Sequence, residues 1–426
     1  MSVDIGVIGA GVVGGGVIQI LNGQQDRLSQ AAGVPLRLSH VCEINPDNLK
    51  DLDLRSVTIT DRVDDLLSAK NIRVVCELIG GLEPARTFIS RALEAGKSVV
   101  TANKMLLAYH GRELSEIARA NRVELRYEAA VAGGIPIIKA LREGLAANRI
   151  EHVYGILNGT CNYILSRMTY EGLEFDAVLE QAQLLGFAET PPDLDVDGHD
   201  TAHKCQILAT LCYTTPVDID AIPVEGVRNI THADVAYALE MGYVIKLLAV
   251  IQETEAGLDA RVHPTLLPEA HLLANVRNEF NAVFVKGDVT DATLYYGRCA
   301  GRLATAGAVV ADIVEIARRG EAPPHPAFLY DRSLPLVDPG TLYGQYYLRL
   351  TTRDQVGVLG TVCTILGDHG VSIASVHQKD PHGEDAVHVV MMTHETVEAP
   401  LREALAQIDS LEFVIEPTHV IRVIEE

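Results

Sequence analysis

Val3-Asp4-Ile5-Gly6-Val7-Ile8, then Gly9-Ala10-Gly11-Val12-Val13-Gly14, then the apolar-rich stretch Gly15 to Leu21: the reading of these residues decides the fold. A β-rich run, a glycine turn and a helix-compatible stretch follow one another without a break. Gly9 permits the tight turn, Gly11 lets a diphosphate approach the backbone, and Gly14 lets helix and strand pack closely. A lone Gly-x-Gly-x-x-Gly says little. Here it follows a strand, opens a helix and heads an alternating region, which is the setting of a dinucleotide-binding turn.

Outward from that turn, strands are expected at Leu36 to Cys42, Val74 to Ile79, Ser98 to Thr101 and Glu124 to Glu128, with helices at 61–69, 84–95 and 104–121 between them. That alternation predicts an α/β fold with a Rossmann-type, doubly wound parallel sheet over 1–130, onto which 300–322 packs back. After Gly133-Gly134-Ile135-Pro136 the pattern changes. Longer helices (136–147, 161–171, 174–184, 200–213, 233–243) mix with strands near 150–157, 245–252, 258–264 and 282–289, so 131–300 reads as an α+β substrate-binding and dimerisation domain. The Pro-rich segment 323–344 reads as an extended linker. From 345 to 426 the order strand, helix, strand, strand, helix, strand marks a small separate domain.

The chain has 426 residues, enough for two to four domains at about 100 to 200 residues each. Hydrophobic residues make up 48% and charged residues 22%, which excludes general disorder. A net charge of −22 without long like-charge blocks disfavours nucleic acid and anionic membrane as partners. The seven cysteines are scattered, with no Cys-x-x-Cys pair, which suits reduced thiols better than a disulfide frame or a zinc site. Met1-Ser2-Val3-Asp4 has no basic leader, and no apolar run reaches the roughly 18 residues of a membrane span, so a cytoplasmic location is expected.

The second strand ends in Val41-Cys42-Glu43, where an acid can bond the ribose hydroxyls of NAD. NADP sites normally offer Arg or Lys there, so Glu43 leans toward NAD with NADP left open. Thr101-Ala102-Asn103-Lys104 sits at the carboxyl edge of the sheet, where doubly wound folds place ligands. Gly186-Phe187-Ala188-Glu189-Thr190-Pro191-Pro192-Asp193-Leu194-Asp195-Val196-Asp197-Gly198-His199-Asp200-Thr201-Ala202-His203-Lys204 is dense in carboxylates. Asp200 and Lys204, four apart, share one helix face. The plain reading is an acidic loop with an exposed ion pair. The functional reading is a pocket for a zwitterion, with carboxylates on its ammonium and a lysine polarising a carbonyl.

Taken together these residues resemble homoserine dehydrogenase over essentially the whole chain. The matching blocks are GAGVVG (9–14), ELIGG (77–81), TANK (101–104), EAAVAGGIPIIKALREGLAANRI (128–150), GILNGTCNYILSRM (155–168), LLGFAE (184–189), DVDGHDTAHK (195–204) and AGRLATAGAVVADI (300–313). The resemblance implies reversible NAD(P)-dependent interconversion of L-aspartate 4-semialdehyde and L-homoserine, on the route to threonine, methionine and isoleucine. It implies Lys204 as proton donor to the substrate oxygen and Lys104 as its partner. Glu189, Asp195, Asp200, Gly159 and Thr160 then line the substrate pocket. Gly9, Gly11, Val12, Val13, Gly14, Glu43, Gly80, Lys104, Gly186 and Gly301 face the cofactor. A structural sodium ion is implied at Glu128 and the main-chain oxygens of Val131, Gly133 and Ile135.

Four positions depart from that family's pattern: Phe187 for Tyr, Pro191 for Asp, Cys299 for Gly and Ala304 for Pro. A Cβ at Cys299 would crowd the backbone if that residue needed a positive φ. Tyr347 to Leu359 resembles the opening of an ACT domain, with Val356 where proline is usual. That implies a ferredoxin-like regulatory domain, a homodimer or homotetramer, and an amino-acid effector, threonine, near Asp354 and Gly357. Two rivals remain. Another amino-acid or semialdehyde dehydrogenase is one, though the aldehyde-oxidising kind needs an activated cysteine that no local setting here provides. A non-catalytic sensor of NAD and an amino acid is the other, and it has no use for two lysines.

Overall fold

Val3 to Ile8, the run expected to open the first sheet, is buried along its whole length, as a parallel strand covered on both faces must be. The computed structural model describes residues 2–188, 190–320, 322–378 and 386–425. In chain order its elements begin with β1 (Val3–Ile8), α1 (Val12–Gly23), α2 (Gln25–Ala32), β2 (Leu36–Cys42), β3 (Thr58–Thr60), α3 (Val63–Ser68), β4 (Ile72–Glu77) and α4 (Ala85–Glu94). There follow β5 (Ser98–Thr101), α5 (Lys104–Ala120), β6 (Leu125–Arg126), α6 (Ile137–Lys139), β7 (Ile150–Ile156), α7 (Gly159–Glu171), α8 (Phe175–Leu184), α9 (Asp193–Val196), α10 (His199–Tyr213) and α11 (His232–Glu240). The remainder comprises β8 (Tyr243–Thr254), β9 (Gly257–Pro268), β10 (Phe280–Gly287), β11 (Asp291–Arg298), α12 (Arg302–Arg319), β12 (Tyr343–Arg353), α13 (Val358–Asp368), β13 (Ile373–Gln378), β14 (Ala386–Thr393), β15 (Thr396–Val397), α14 (Glu398–Asp409) and β16 (Val414–Val423).

These elements fall into two units, each discontinuous in sequence. The first comprises Met1–Gly159, Asp200–Ile222 and Glu279–Leu334, and the second Thr160–His199, Pro223–Asn278 and Pro335–Glu426. The first unit holds a six-stranded parallel sheet in the order β3-β2-β1-β4-β5-β6. Strand order reverses between β1 and β4, the switch point at which such sheets open a ligand crevice. Ala306, Val309, Val310 and Ile313 of α12 share one core with Val17, Ile18 and Leu21 of α1 and with Val3, Ile5 and Val7 of β1. Each buried aliphatic of this kind contributes about 1.5–3 kcal/mol. The same unit carries the antiparallel strands β7, β10 and β11, with β10 in the middle.

The second unit carries the antiparallel pair β8–β9 and, beyond it, the order β16-β12-β14-β13. Helices α13 and α14 cover one face of that last group, with Val362, Leu366, Leu401 and Leu405 against Leu348, Leu350 and Met391. This is the expected strand-helix-strand-strand-helix-strand succession of a ferredoxin-like domain. The alternating run Asp385 to Thr393 reads in the sequence as the third strand of this domain, and its first residue, Asp385, lies outside the described residues.

Several expectations need correction. Instead of one helix over 136–147 there is a three-residue turn of α-helix followed by a π-helical stretch, Ala140–Gly144. Strand β6 shrinks to two residues because Glu128–Ala130 coil into a 3-10 turn. Strand β11, with Tyr295 and Tyr296 adjacent in it, has no counterpart among the expected strands. The Pro-rich segment carries Ala327 and Phe328 into the core of the first unit, where Phe328 stacks on Tyr127 at 4.7 Å and Tyr127 Oη donates to the Ala327 carbonyl.

Candidate active site

The glycine turn behaves as its residues require. Gly9 has φ +90°, and a Cβ on Gly14 would collide with the Gly9 carbonyl oxygen, so helix α1 can leave β1 this steeply only with glycine at both places. Gly11 is the N-cap of α1, has no side-chain cap, and has nothing within 4 Å of where its Cβ would be. Val12 projects into solvent and Val13 is half-buried. The result is an open helix N-terminus with unspent N–H groups, which fits a dinucleotide diphosphate. Glu43, past the end of β2, accepts hydrogen bonds from Ala10 N–H at 2.6 Å and Asn45 N–H at 2.8 Å. Partial burial works against its ionisation, but these N–H groups outweigh burial and hold its carboxyl below the usual range.

At the same edge of the sheet, Glu77 ends β4 fully buried. Its carboxylate accepts from Ile79 N–H, Gly80 N–H and Thr101 Oγ1 at 2.9, 3.2 and 2.7 Å. Asn103 caps α5 by accepting from Leu106 N–H at 3.1 Å, and its amide donates to the Gly81 carbonyl at 2.6 Å. The chain from the Gly80 loop to Lys104, first residue of α5, is therefore held at both ends.

The catalytic candidates converge. Asp200 Oδ1 pairs with Lys104 Nζ at 2.8 Å, and Oδ2 pairs with Lys204 Nζ at 2.6 Å. Lys204 also donates to the Leu157 carbonyl at 2.6 Å, and Asn158 Nδ2 donates to Asp200 Oδ2 at 2.9 Å. Far from an exposed surface pair, Asp200 and Lys204 are both 6% exposed, whereas the Lys104 side chain keeps 42% of its surface. Burial alone would raise the Asp200 carboxyl, but Lys204 and Lys104 overcome it and hold the group well below the usual carboxylate range. Asp200 thus organises the two lysines. Cys299 Sγ lies 3.8 Å from Lys204 Nζ and 3.7 Å from the Leu157 carbonyl oxygen. Its φ is not positive, so the crowding expected of a Cβ there does not arise. Burial pushes its thiol up, which makes it a poor nucleophile. Gly301 follows with φ +125° as the N-cap of α12.

Other expected residues belong to the second unit. Thr160 Oγ1 donates to the Phe187 carbonyl at 2.5 Å, and the Asp195 carbonyl accepts from Cys161 Sγ at 3.1 Å. Gly186 is exposed, with φ +74°, at the turn after α8. Arg228 takes up Asp193 at 2.7 Å and Asp197 at 2.8 Å, so two of the acidic loop's carboxylates are already paired. Glu189 lies outside the described residues. Gly159 closes the first unit, packed so that a Cβ would lie 2.8 Å from the Glu279 carbonyl oxygen.

Of the residues expected to hold sodium, Glu128, Val131 and Gly133 offer donors that suit the ion, whereas the Ile135 carbonyl already accepts from Ile137 N–H at 2.8 Å. Glu128 is buried, and its two oxygens accept from Ile138 and Lys139 N–H at 2.8 and 2.9 Å. Burial, and then the neighbouring Asp312, push its carboxyl up to about 7. Val131, Gly133 and Ile135 are buried, and no described residue donates a hydrogen bond to the carbonyls of Val131 or Gly133. Two buried carboxylates and idle carbonyl oxygens are hard donors that a monovalent cation would satisfy.

Sequence reasoning missed Asn158, Asn103, Glu77 and Arg228. Only Asn103 left a signal, as an N-cap type directly before the helix that begins at Lys104.

Comparison with known proteins agrees with this geometry. The family model for the homoserine dehydrogenase NAD binding domain matches residues 9–128, that for homoserine dehydrogenase matches 136–314, and that for the ACT domain matches 346–413. Homoserine dehydrogenases of Neisseria gonorrhoeae and Pseudomonas aeruginosa are each 42% identical, covering 99% of this chain and 98% of theirs. The crystal structure of a homoserine dehydrogenase from Thiobacillus denitrificans is 41% identical, with a TM-score of 0.94 over 100% of this chain and 99% of that one. With a dinucleotide turn, a buried carboxylate bridging two lysines and full-length likeness of this order, the chain belongs to the homoserine dehydrogenase family.

Proposed function

We propose that Lys204 is the proton donor in the reduction of L-aspartate 4-semialdehyde to L-homoserine, with Lys104 as the second ammonium at the same carbonyl and Asp200 as the group that holds both. Interconversion of these two compounds is the family's reaction, and the chain is an NAD(P)-dependent oxidoreductase of that family. When bound, the nicotinamide supplies or takes up the hydride. The protein's part is electrostatic and acid–base. As the carbonyl oxygen gains charge, Lys204 gives it a proton from Nζ, and in the reverse direction takes it back. Lys104, half-exposed on the open side, stabilises the same oxygen. The single observation that carries this reading is the bridge of one buried carboxylate between the two lysine termini.

We further propose that Gly159, Thr160, Asp195 and Glu189 hold the amino-acid end of the substrate. Gly9, Gly11, Val12, Val13, Gly14, Glu43, Gly80, Gly186 and Gly301 bind the dinucleotide. NAD is preferred over NADP, and the support is the ionised Glu43 carboxylate beside the turn, which would repel a 2′-phosphate. Sodium at Glu128, Val131, Gly133 and Ile135 braces the chain where the parallel sheet ends.

The ACT domain serves regulation, with threonine as the proposed effector near Asp354 and Gly357. Gly357 opens α13 with φ +94°, nothing approaches its Cβ position, and Val356 is fully exposed. Strand β13 ends its sheet and pairs only with β14 among the described residues, an edge suited to a second copy in a homodimer or homotetramer. The proposed location is cytoplasmic; among the described residues no helix is long and apolar enough to cross a membrane.

The test is the initial rate of nicotinamide reduction with L-homoserine, run with NAD and NADP in parallel and repeated with threonine. Turnover that favours NAD and falls with threonine is expected. A folded protein that binds NADH but turns over with neither cofactor would leave the sensor reading instead.

A further inference from the structure

Gly15 and Gly16 extend the glycine run beyond the three positions the turn needs, and neither has a positive φ. What they make room for is the start of α12: its first residue, Arg302, and Ala306, whose Cβ would lie 2.9 Å from a Cβ on Gly16. A Cβ on Gly16 would lie 2.5 Å from the Arg302 carbonyl oxygen and 3.1 Å from its Cγ. A Cβ on Gly15 would lie 3.0 Å from Arg302 Nη2 and 3.6 Å from its Cζ. The Arg302 side chain therefore runs along the bare first turn of α1 and sets its guanidinium beside Gly15. It is exposed, and no described residue forms an ion pair or hydrogen bond with that guanidinium. Helix α1 in turn has no side-chain cap and no acidic residue in its first turn. A lone cation at the positive end of a helix is electrostatically unfavourable, and it becomes favourable when an anion sits between the two.

We propose that Arg302 is a ligand of the cofactor's diphosphate, closing the glycine turn from the α12 side where Gly15 leaves room for its guanidinium. The inference rests on the turn being the NAD(P) site. It also accounts for charge. Glu43 places a carboxylate at one side of the turn, the diphosphate adds two more negative charges, and Arg302 supplies a positive charge from the protein.

The test measures binding of NADH by its fluorescence, and of ADP and adenosine by competition, to the full chain and to Arg302→Met and Arg302→Lys. R302M should weaken NADH and ADP by about tenfold, the loss of one charge-assisted pair at a partly exposed site, and leave adenosine within about twofold. R302K should recover part of the loss, and the salt dependence of ADP binding should flatten in R302M. Unchanged NADH and ADP affinity in R302M would overturn the proposal, as would an equal loss for adenosine, which carries no phosphate. A wild-type chain that binds no NADH would overturn the reading of the turn itself, a result distinct from both. Because Arg302 is exposed, the melting temperature of R302M should match the wild type, and the lysine variant guards against a local folding defect.

Discussion

At the residue scale, the chemistry depends on how one carboxylate is spent. Asp200 does not face solvent; both its oxygens are occupied by lysine ammonium groups, with Asn158 as a third partner. Removing Lys204 should therefore act on the chemical step. Lys204→Met is expected to lower kcat by about 10²–10⁴, the usual worth of a positioned acid, while the NADH dissociation constant moves less than about twofold. Turnover and fluorescence titration read the two separately, and a variant losing both equally would speak against the assigned role. Glu43 allows a second prediction. Glu43→Gln removes the charge beside the turn but keeps its shape, and should shift the ratio of kcat/KM values for NAD and NADP toward NADP by about five- to tenfold, on the order of the 1 kcal/mol that two unit charges about 4 Å apart exchange in water. An unchanged ratio would assign cofactor choice elsewhere.

At the element scale, α5 shows how a helix end positions a lysine proposed for catalysis. Lys104 is its first residue, and Asn103 both caps it and ties it to the loop carrying Gly80 and Gly81. Asn103→Ala should cost about 1 kcal/mol in stability from the lost cap. It should lower kcat/KM by more than that stability loss accounts for, because Lys104 loses its anchor while Lys204 does not. Thermal melts alongside steady-state rates check this. Most long elements were legible in the sequence: β1, β2 and β5 lie where the apolar runs put them, and α5, α7, α8 and α10 within one or two residues. Misreadings came where tertiary contacts override propensity. Ala140–Gly144 winds as a π-helix, and the Pro-rich 323–344 stretch bends inward to bury Phe328.

For the molecule as a whole, a buried polar cluster within the second unit ties the ACT part to the preceding helix. Asp234 closes the capping box of α11 with Thr231 and also accepts from Arg349 Nε at 2.6 Å and Tyr347 Oη at 3.1 Å, both on β12. Asp234 and Arg349 are almost wholly buried. Breaking such a pair from one side leaves an uncompensated charge, so Asp234→Ala should destabilise by about 3–5 kcal/mol. Burial opposes ionisation of Asp234, but His419 and Arg349 prevail and hold its carboxyl well below the ordinary value of 3.8. A carboxyl depressed on folding adds stability that is complete above its unfolded value and is lost as pH falls through the folded one. Denaturation titrations should therefore show stability declining as pH drops below about 4, with a shallower decline in D234N.

The sequence by itself determined the glycine turn, the alternating parallel sheet, the two lysines and the ferredoxin-like end. Those features rest on local rules: backbone conformation, periodicity and helix spacing act over a few residues. Even burial of the Asp200–Lys204 pair had a signal, because an apolar stretch follows it on α10, whose Cys205, Ile207 and Leu208 are fully buried. Only the tertiary structure decided which charges meet. Lys104 and Asp200 lie ninety-six residues apart in sequence yet share an ion pair, and Arg302 lies beside Gly15 although 287 residues separate them along the chain. Arg228 removes two carboxylates that looked free to bind a ligand. Such pairings follow from the path of the chain through space, and a buried charge must find its partner there rather than among its neighbours in sequence.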